Sequence, residues 1–221
     1  MKTEIYGFDA FSPGEVADRI ENIGLVKARL PMISLLMLGL LAGGFIALGA
    51  MYSTIIFSDH AISFGISRLL GGFVFSLGLL LVVVAGAELF TGNNLLVMAW
   101  ADGKISMFEV FRNWSIVFIA NFLGAFSVAL LVFFSNHASM NNNGVSEQYL
   151  IIAQSKCNLS FSHAFFSGML CNVLVCLAVW MCQAGRSIID KVVVIVFPVS
   201  AFVAATSCPG ILHHLPMEKT I

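Results

Sequence analysis

The feature that most limits what this chain can become is the spacing of its charges. Leu30–Ser58 runs 29 residues without one, Leu69–Ala87 runs 19, Asn113–Ser146 runs 34 and Cys157–Gly185 runs 29. A helix needs about 20 predominantly apolar residues to cross the hydrocarbon core of a bilayer, so each window can hold one span. Two further apolar runs fall short: Leu89–Ala101 has 13 residues and Val192–Ala205 has 14. They read as half-length pieces. Hydrophobic residues make up 59% of the chain and charged residues only 10%, against roughly a quarter charged in globular domains. Such a chain lacks the means for a normal water-facing surface. The expected fold is an all-α, polytopic membrane protein whose first partner is the lipid bilayer.

The few charges give organisation. A net charge of −1 leaves no basic stripe for nucleic acid. Residues 1–29 hold Glu4, Asp9, Glu15, Asp18 and Glu21 and no apolar core of the kind a signal peptide needs. Within them Ser12-Pro13-Gly14-Glu15 reads as an N-cap, a proline in the first turn and a capping-box acid. Val16, Ile20, Ile23 and Leu25 then form a modest apolar stripe. A short amphipathic helix is expected there, either lying on the membrane or acting as a gate. With a cytoplasmic N-terminus, Lys27, Arg29, Lys104, Arg112, Arg186 and Lys191 flank spans on the inside, and only Arg68 and Lys156 fall outside. The positive-inside rule favours that orientation.

One stretch breaks the apolar pattern. Val84–Met98 reads VAGAELFTGNNLLVM, and its Glu88 is an acid at membrane depth. A charge there is tolerated only facing protein or a water-filled path. Gly86, Gly92, Asn93 and Asn94 supply turn chemistry within a few residues. A broken helix frees backbone groups that lipid cannot satisfy, so the break is expected to line an internal cavity. Half-helices meeting at a polar loop mark a solute site near the membrane midplane. The second short run, Val192–Ala205, repeats the theme, as long span followed by broken span. The pattern is that of an inverted repeat whose final helix is missing.

Other residues carry less. The cysteines at 157, 171, 176, 182 and 208 form no CxxC pair and read as small packing residues. His60, His137 and His163 are spaced too irregularly for a haem or metal cage, so neither cofactor nor enzymatic activity is expected. Gly39 and Gly43 form a GxxxG pair that lets helices approach closely.

Several motifs, in order, resemble the formate/nitrite transporter family: GGFVFSLGL (71–79), GAELFTGN (86–93), GKIS…RNW (103–114), CNVLVCLAVW (171–180) and GRSIIDKVVVIVFPVSAFVAA (185–205). The likeness covers Lys27–Ala205 and is nearest the formate branch. It implies a homopentamer of aquaporin-like protomers in the bacterial inner membrane, each conducting small monovalent anions or their conjugate acids, with proton coupling in reach. Formate leads, with nitrite or hydrosulfide as alternatives. By motif, Phe75, Leu79 and Phe202 would form a cytoplasmic constriction, and Leu89, Phe90 and Val175 a periplasmic one. Thr91 and Asn172 would hydrogen-bond the substrate between them. Lys27 and Lys156 would attract anions to the two vestibules, and Glu88 would brace the loop.

The family pattern stops after Ala205. There the family continues with a glycine, an aromatic, Glu, His and Ser, and then a last span, whereas this chain reads TSCPGILHHLPMEKTI. Thr206, Cys208 and Pro209 replace the glycine, the glutamate and the histidine that would supply a proton. The expected division is therefore 1–29 as N-terminal helix, 30–205 as channel, and 206–221 as an atypical tail. A truncated or frame-shifted, non-conducting remnant stays open as a reading.

Overall fold

The structure, a computed structural model, describes residues 10–205, and every regular element among them is helical. The order is α1 (Pro13–Ala28), α2 (Met32–Phe57), α3 (Phe64–Ala85), a 3-10 turn (Gly92–Leu95), α4 (Leu96–Ala101), α5 (Met107–Phe134), a second 3-10 turn (His137–Ser139), α6 (Gly144–Cys157), α7 (Phe161–Ala184) and α8 (Ile188–Ala205). Helices α2, α3, α5 and α7 are long and apolar enough to cross a membrane, and each lies over one of the four uncharged windows. Their faces are turned outward: only 17% of the most apolar stretch of α5 is buried within the chain, and 11% of that of α7. In water such exposure of Phe, Leu and Met would be prohibitive; in lipid it costs nothing.

Small residues set the packing. A Cβ at Gly43 of α2 would run into the backbone carbonyl of Asn121 on α5, and one at Gly124 of α5 into that of Leu40 on α2. The two helices therefore touch backbone to backbone, which is how spans associate where no hydrophobic drive operates between them. Helix α3 packs on α2 and α8, and α8 packs on α7. The pair α7–α8 thus repeats the pair α2–α3, and the two meet along α3 and α8.

Charged groups gather at one end. Helix α1 starts with the expected capping box between Ser12 and Glu15 and buries Val16, Ile20, Gly24 and Ala28, chiefly on α4. Its apolar face is seated on protein. Lys104 pairs with Glu21 at 2.6 Å, Arg29 with Glu109 at 3.2 Å, and Arg112 donates to the carbonyls of Ala28 and Leu30. The Phe11 N–H donates to the Ala184 carbonyl, and its ring lies under the guanidinium groups of Arg19 and Arg186. At the opposite end Asn141 donates to the Ser58 carbonyl, closing the α5–α6 connection over the α2–α3 turn.

Both short runs differ from expectation. The run at Val192–Ala205 is part of an unbroken 18-residue helix beginning at Ile188, with Pro198 inside it. Ser187 and Asp190 cap its start: Asp190 accepts from the Arg186 and Ser187 N–H groups and donates its own to Ser187. A charged first turn is compatible with a span that begins at the membrane surface, so counting from Lys191 made it too short. At about 1.5 Å per residue it rises roughly 27 Å. The run at Leu89–Ala101 is more broken than expected, with only Leu96–Ala101 in α-helix. The altered tail, 206–221, lies outside the described residues.

Candidate functional site

The site grows from the end of α3. Gly86 adopts φ +68°, and Ala87 N–H reaches back to the Val82 carbonyl, ending the helix in the left-handed turn that glycine permits. From Ala87 to Thr91 the chain is non-helical inside the bundle, and each freed group needs a partner. Helix α5 supplies most of them. Asn121 Nδ2 donates to the carbonyls of Gly39 (2.8 Å) and Glu88 (2.9 Å), and its Oδ1 accepts the Phe90 N–H (2.9 Å). Trp114 Nε1 donates to the Asn93 carbonyl at 3.0 Å. The Glu88 N–H reaches the Leu38 carbonyl on α2.

Glu88 is only 2% exposed. Its Oε1 lies 3.0 Å from Lys27 Nζ, and its Oε2 accepts from Asn93 Nδ2 at 2.7 Å. Asn93 also donates to Asn113 Oδ1 and accepts from Lys27, while Asn113 donates to the Lys27 carbonyl. The buried charge is thus paired and hydrogen-bonded, as burial requires. These contacts tie the loop at Glu88 to the last turn of α1. Lys27, which the resemblance places near a vestibule, lines a cavity beside the loop while paired with Glu88.

A cavity of about 250 Å³ opens beside this loop at the α1 end. Ile20, Gly24 and Lys27 of α1 line one wall, Leu79, Val82 and Leu89 the next, and Val179 and Gln183 of α7 the far side. Its lining is mostly apolar around a few polar tips, which suits brief passage of a small solute better than tight retention. Deeper in, Cys176 Sγ lies 3.3 Å from both the Thr91 carbonyl and Asn172 Oδ1, so Thr91 and Asn172 share one neighbourhood. Val175 packs beside Leu89 against the same central core. The rings of Phe75 and Phe202 stand 5.7 Å apart where α3 meets α8.

The depth order corrects the expected one. Helix α3 runs from the end nearest Ser58 toward the α1 end, so Phe75 lies farther from α1 than Leu79, and Leu89 shares the cavity that α1 covers. If α1 is cytoplasmic, Leu79 and Leu89 belong to the cytoplasmic side and the Phe75–Phe202 pair to the opposite one. Motif order along the chain carries no depth, because a non-helical stretch separates α3 from α4. Phe90 is also displaced: its ring packs on Phe118 and Trp114 of α5, at 5.3 and 6.3 Å, and takes no part in the cavity wall. Lys156 lies exposed on α6, on the far side of the bundle.

The reading from sequence passed over Asn113, Trp114, Asn121 and Cys176. The signal for the asparagines was present: an amide at membrane depth is costly for the same reason as Glu88 and needs partners. Among the described residues no three His, Cys, Asp or Glu side chains converge on a metal-sized site. At the rim, the hydrogen bonds that Lys104 donates to the carboxylates of Glu21 and Asp102 push its ammonium pKa up to about 12. Its hydrogen bond to Lys104, with the nearby charge, holds the Asp102 carboxyl below its usual value.

Long apolar spans around an internally satisfied helix break define a class: a polytopic helical membrane protein with a polar loop and a cavity inside its bundle. The particular member of that class emerges from comparison. Residues 14–208 match the model of the formate/nitrite transporter family, and the chain belongs to that family. It is 36% identical over 212 residues to the formate channel FocA of Haemophilus influenzae, covering 94% of this chain and 74% of that one. It is 43% identical over 195 residues to the uncharacterized transporter YrhG of Bacillus subtilis, covering 87% and 73%. Among solved structures it resembles a pentameric formate channel with formate bound, with TM-score 0.74 and 37% identity over 79% of this chain and 69% of that one.

Proposed function

We propose that this protein is a channel for small monovalent anions, formate foremost, acting as a pentamer in the cytoplasmic membrane with α1 on the cytoplasmic side. The observation that carries this reading is the α3–α4 break: a polar loop inside the bundle, its backbone groups bound by α5, with Leu89 beside a cavity. The relatives named as formate channels support the substrate, and the pentameric neighbour supports the assembly. The gathering of Lys27, Arg29, Lys104, Arg112, Arg186 and Lys191 toward the α1 end, with Arg19 of α1 itself, supports the orientation.

Passage is governed by desolvation. An anion entering at the α1 end meets Leu79 and Leu89, apolar groups that cannot replace its water, and stripping that water in low dielectric is expensive. Thr91 and Asn172 beyond them offer hydrogen bonds in partial compensation, and the Phe75–Phe202 pair forms a second apolar step. A weak-acid anion lowers the barrier by crossing as its neutral conjugate acid. Lys27 acts through Glu88, by holding the loop, and Lys156 serves the opposite mouth.

Formate flux into proteoliposomes, read by stopped flow, tests this. Wild-type protein is expected to exceed empty vesicles. Thr91→Ala and Asn172→Ala are each expected to lower flux about tenfold, which is the worth of one hydrogen bond to a charged group at about 1.5 kcal/mol. Wild-type flux no faster than empty vesicles overturns the reading.

A further inference from the structure

We infer that Asn121 is a specificity-determining positioning residue, which sets the width of the Leu89 step and so the size of anion that passes. The inference rests on the channel reading above. Asn121 sits on α5 and does not line the cavity. Its amide nevertheless holds both peptide units that flank Leu89. Nδ2 donates to the Glu88 carbonyl, in the peptide entering Leu89, and Oδ1 accepts the Phe90 N–H, in the peptide leaving it. Fixing those two planes fixes the backbone dihedrals of Leu89, and with them the direction of its side chain.

The amide has no second way to sit. Both Nδ2 protons are used, since the other donates to the Gly39 carbonyl of α2. Rotating the amide by half a turn would set its oxygen against two carbonyl oxygens. Nor can its backbone withdraw to accommodate a change, because Gly43 packs directly on it. Of the remaining ties, Lys27, Asn113 and Trp114 hold the Glu88 side chain and Asn93, the Glu88 N–H reaches the Leu38 carbonyl, and the Asn93 N–H donates to the Leu89 carbonyl on the other side of the peptide leaving Leu89. A side chain that cannot make these bonds releases the peptide entering Leu89 at its carbonyl and leaves the peptide after it held only through the Asn93 N–H, so the Leu89 side chain gains freedom to turn.

Acetate differs from formate by one methyl, a difference an apolar site resolves about 10–200-fold. The experiment is therefore the formate-to-acetate permeability ratio in proteoliposomes, for wild type, Asn121→Leu and Asn121→Ser. Ser127→Ala, whose exposed hydroxyl bonds only its own helix, serves as control. Leucine keeps the volume and serine keeps some polarity, yet neither can span the three groups. Both ratios are expected to fall about tenfold, toward admission of acetate, while the control matches wild type. A ratio within twofold of wild type in either variant that reconstitutes overturns the inference, and failure of both to reconstitute also overturns it by assigning Asn121 to folding alone. Absence of wild-type formate flux instead strikes the channel reading itself.

Discussion

Glu88 and Lys27 show how one residue's cost becomes another's position. A carboxylate 2% exposed inside a lipid-facing bundle is stable only with its cation, and Lys27 is the cation that α1 delivers. Removing one partner of a buried pair typically costs about 3–5 kcal/mol. The Lys27 side chain keeps 28% of its exposure, so Lys27→Met is expected to cost about 2–3 kcal/mol in thermal unfolding. The double change Lys27→Met with Glu88→Gln should regain part of it, because no unpaired charge is then left. A double variant no more stable than the single would show that the pair contributes nothing. The importance of Glu88 was legible from an acid between apolar runs. Its partner was not, since 61 positions separate them and no local spacing links a surface helix to a buried loop.

Elements here are specified by small residues and caps more than by hydrophobic pattern. All-apolar helices have no polar face to declare which side packs, so contact falls where the backbone can come closest. Gly43→Ala should force α2 from α5 and destabilise the protein by about 1–3 kcal/mol, whereas Gly65→Ala, with open space around it, should leave the melting temperature in place. Both are read by thermal melts in detergent. The GxxxG signal pointed to this packing; that Gly43 meets Asn121 could not be foreseen. Helix α1 makes a pH prediction. The Ser12 hydroxyl and then its N–H, with Arg186 nearby, hold the Glu15 carboxyl below its ordinary value of 4.5. A depressed native value means the capped form is stabilised above pH 4.5 and loses that contribution as pH falls further. Hydrogen-exchange protection across residues 13–20, corrected for the intrinsic pH dependence of amide exchange, should therefore hold down to pH 4.5 and fall below it; Glu15→Gln should remove the dependence.

At the scale of the molecule, the two ends carry different chemistry, and that asymmetry is open to test. Cys157 is exposed at the end of α6, away from α1. In intact cells a membrane-impermeant maleimide should label it, and Cys157→Ser should abolish that signal. Asp102→Cys, in the turn beside Lys104 and placed in the Cys157→Ser protein, should label only after permeabilisation. The reverse result would invert the membrane orientation while leaving the fold untouched. Along the same axis, Leu79 and Leu89 lie by the cavity that α1 covers, and Phe75 lies nearer the Ser58 end, an order that the sequence of motifs along the chain does not show.

The sequence by itself determined the solvent, the four long spans, the capped amphipathic start and the place of the break. Each of these comes from charge spacing, length or turn chemistry within a few dozen residues. Only the tertiary structure decided which groups satisfy the broken backbone, that Lys27 is bound to Glu88, that Phe90 turns toward α5, and in what order the apolar steps are met. The physical reason is that a bilayer rewards any apolar face equally. Direction inside it is set by scattered polar contacts between distant segments, and those exist only once the helices have packed.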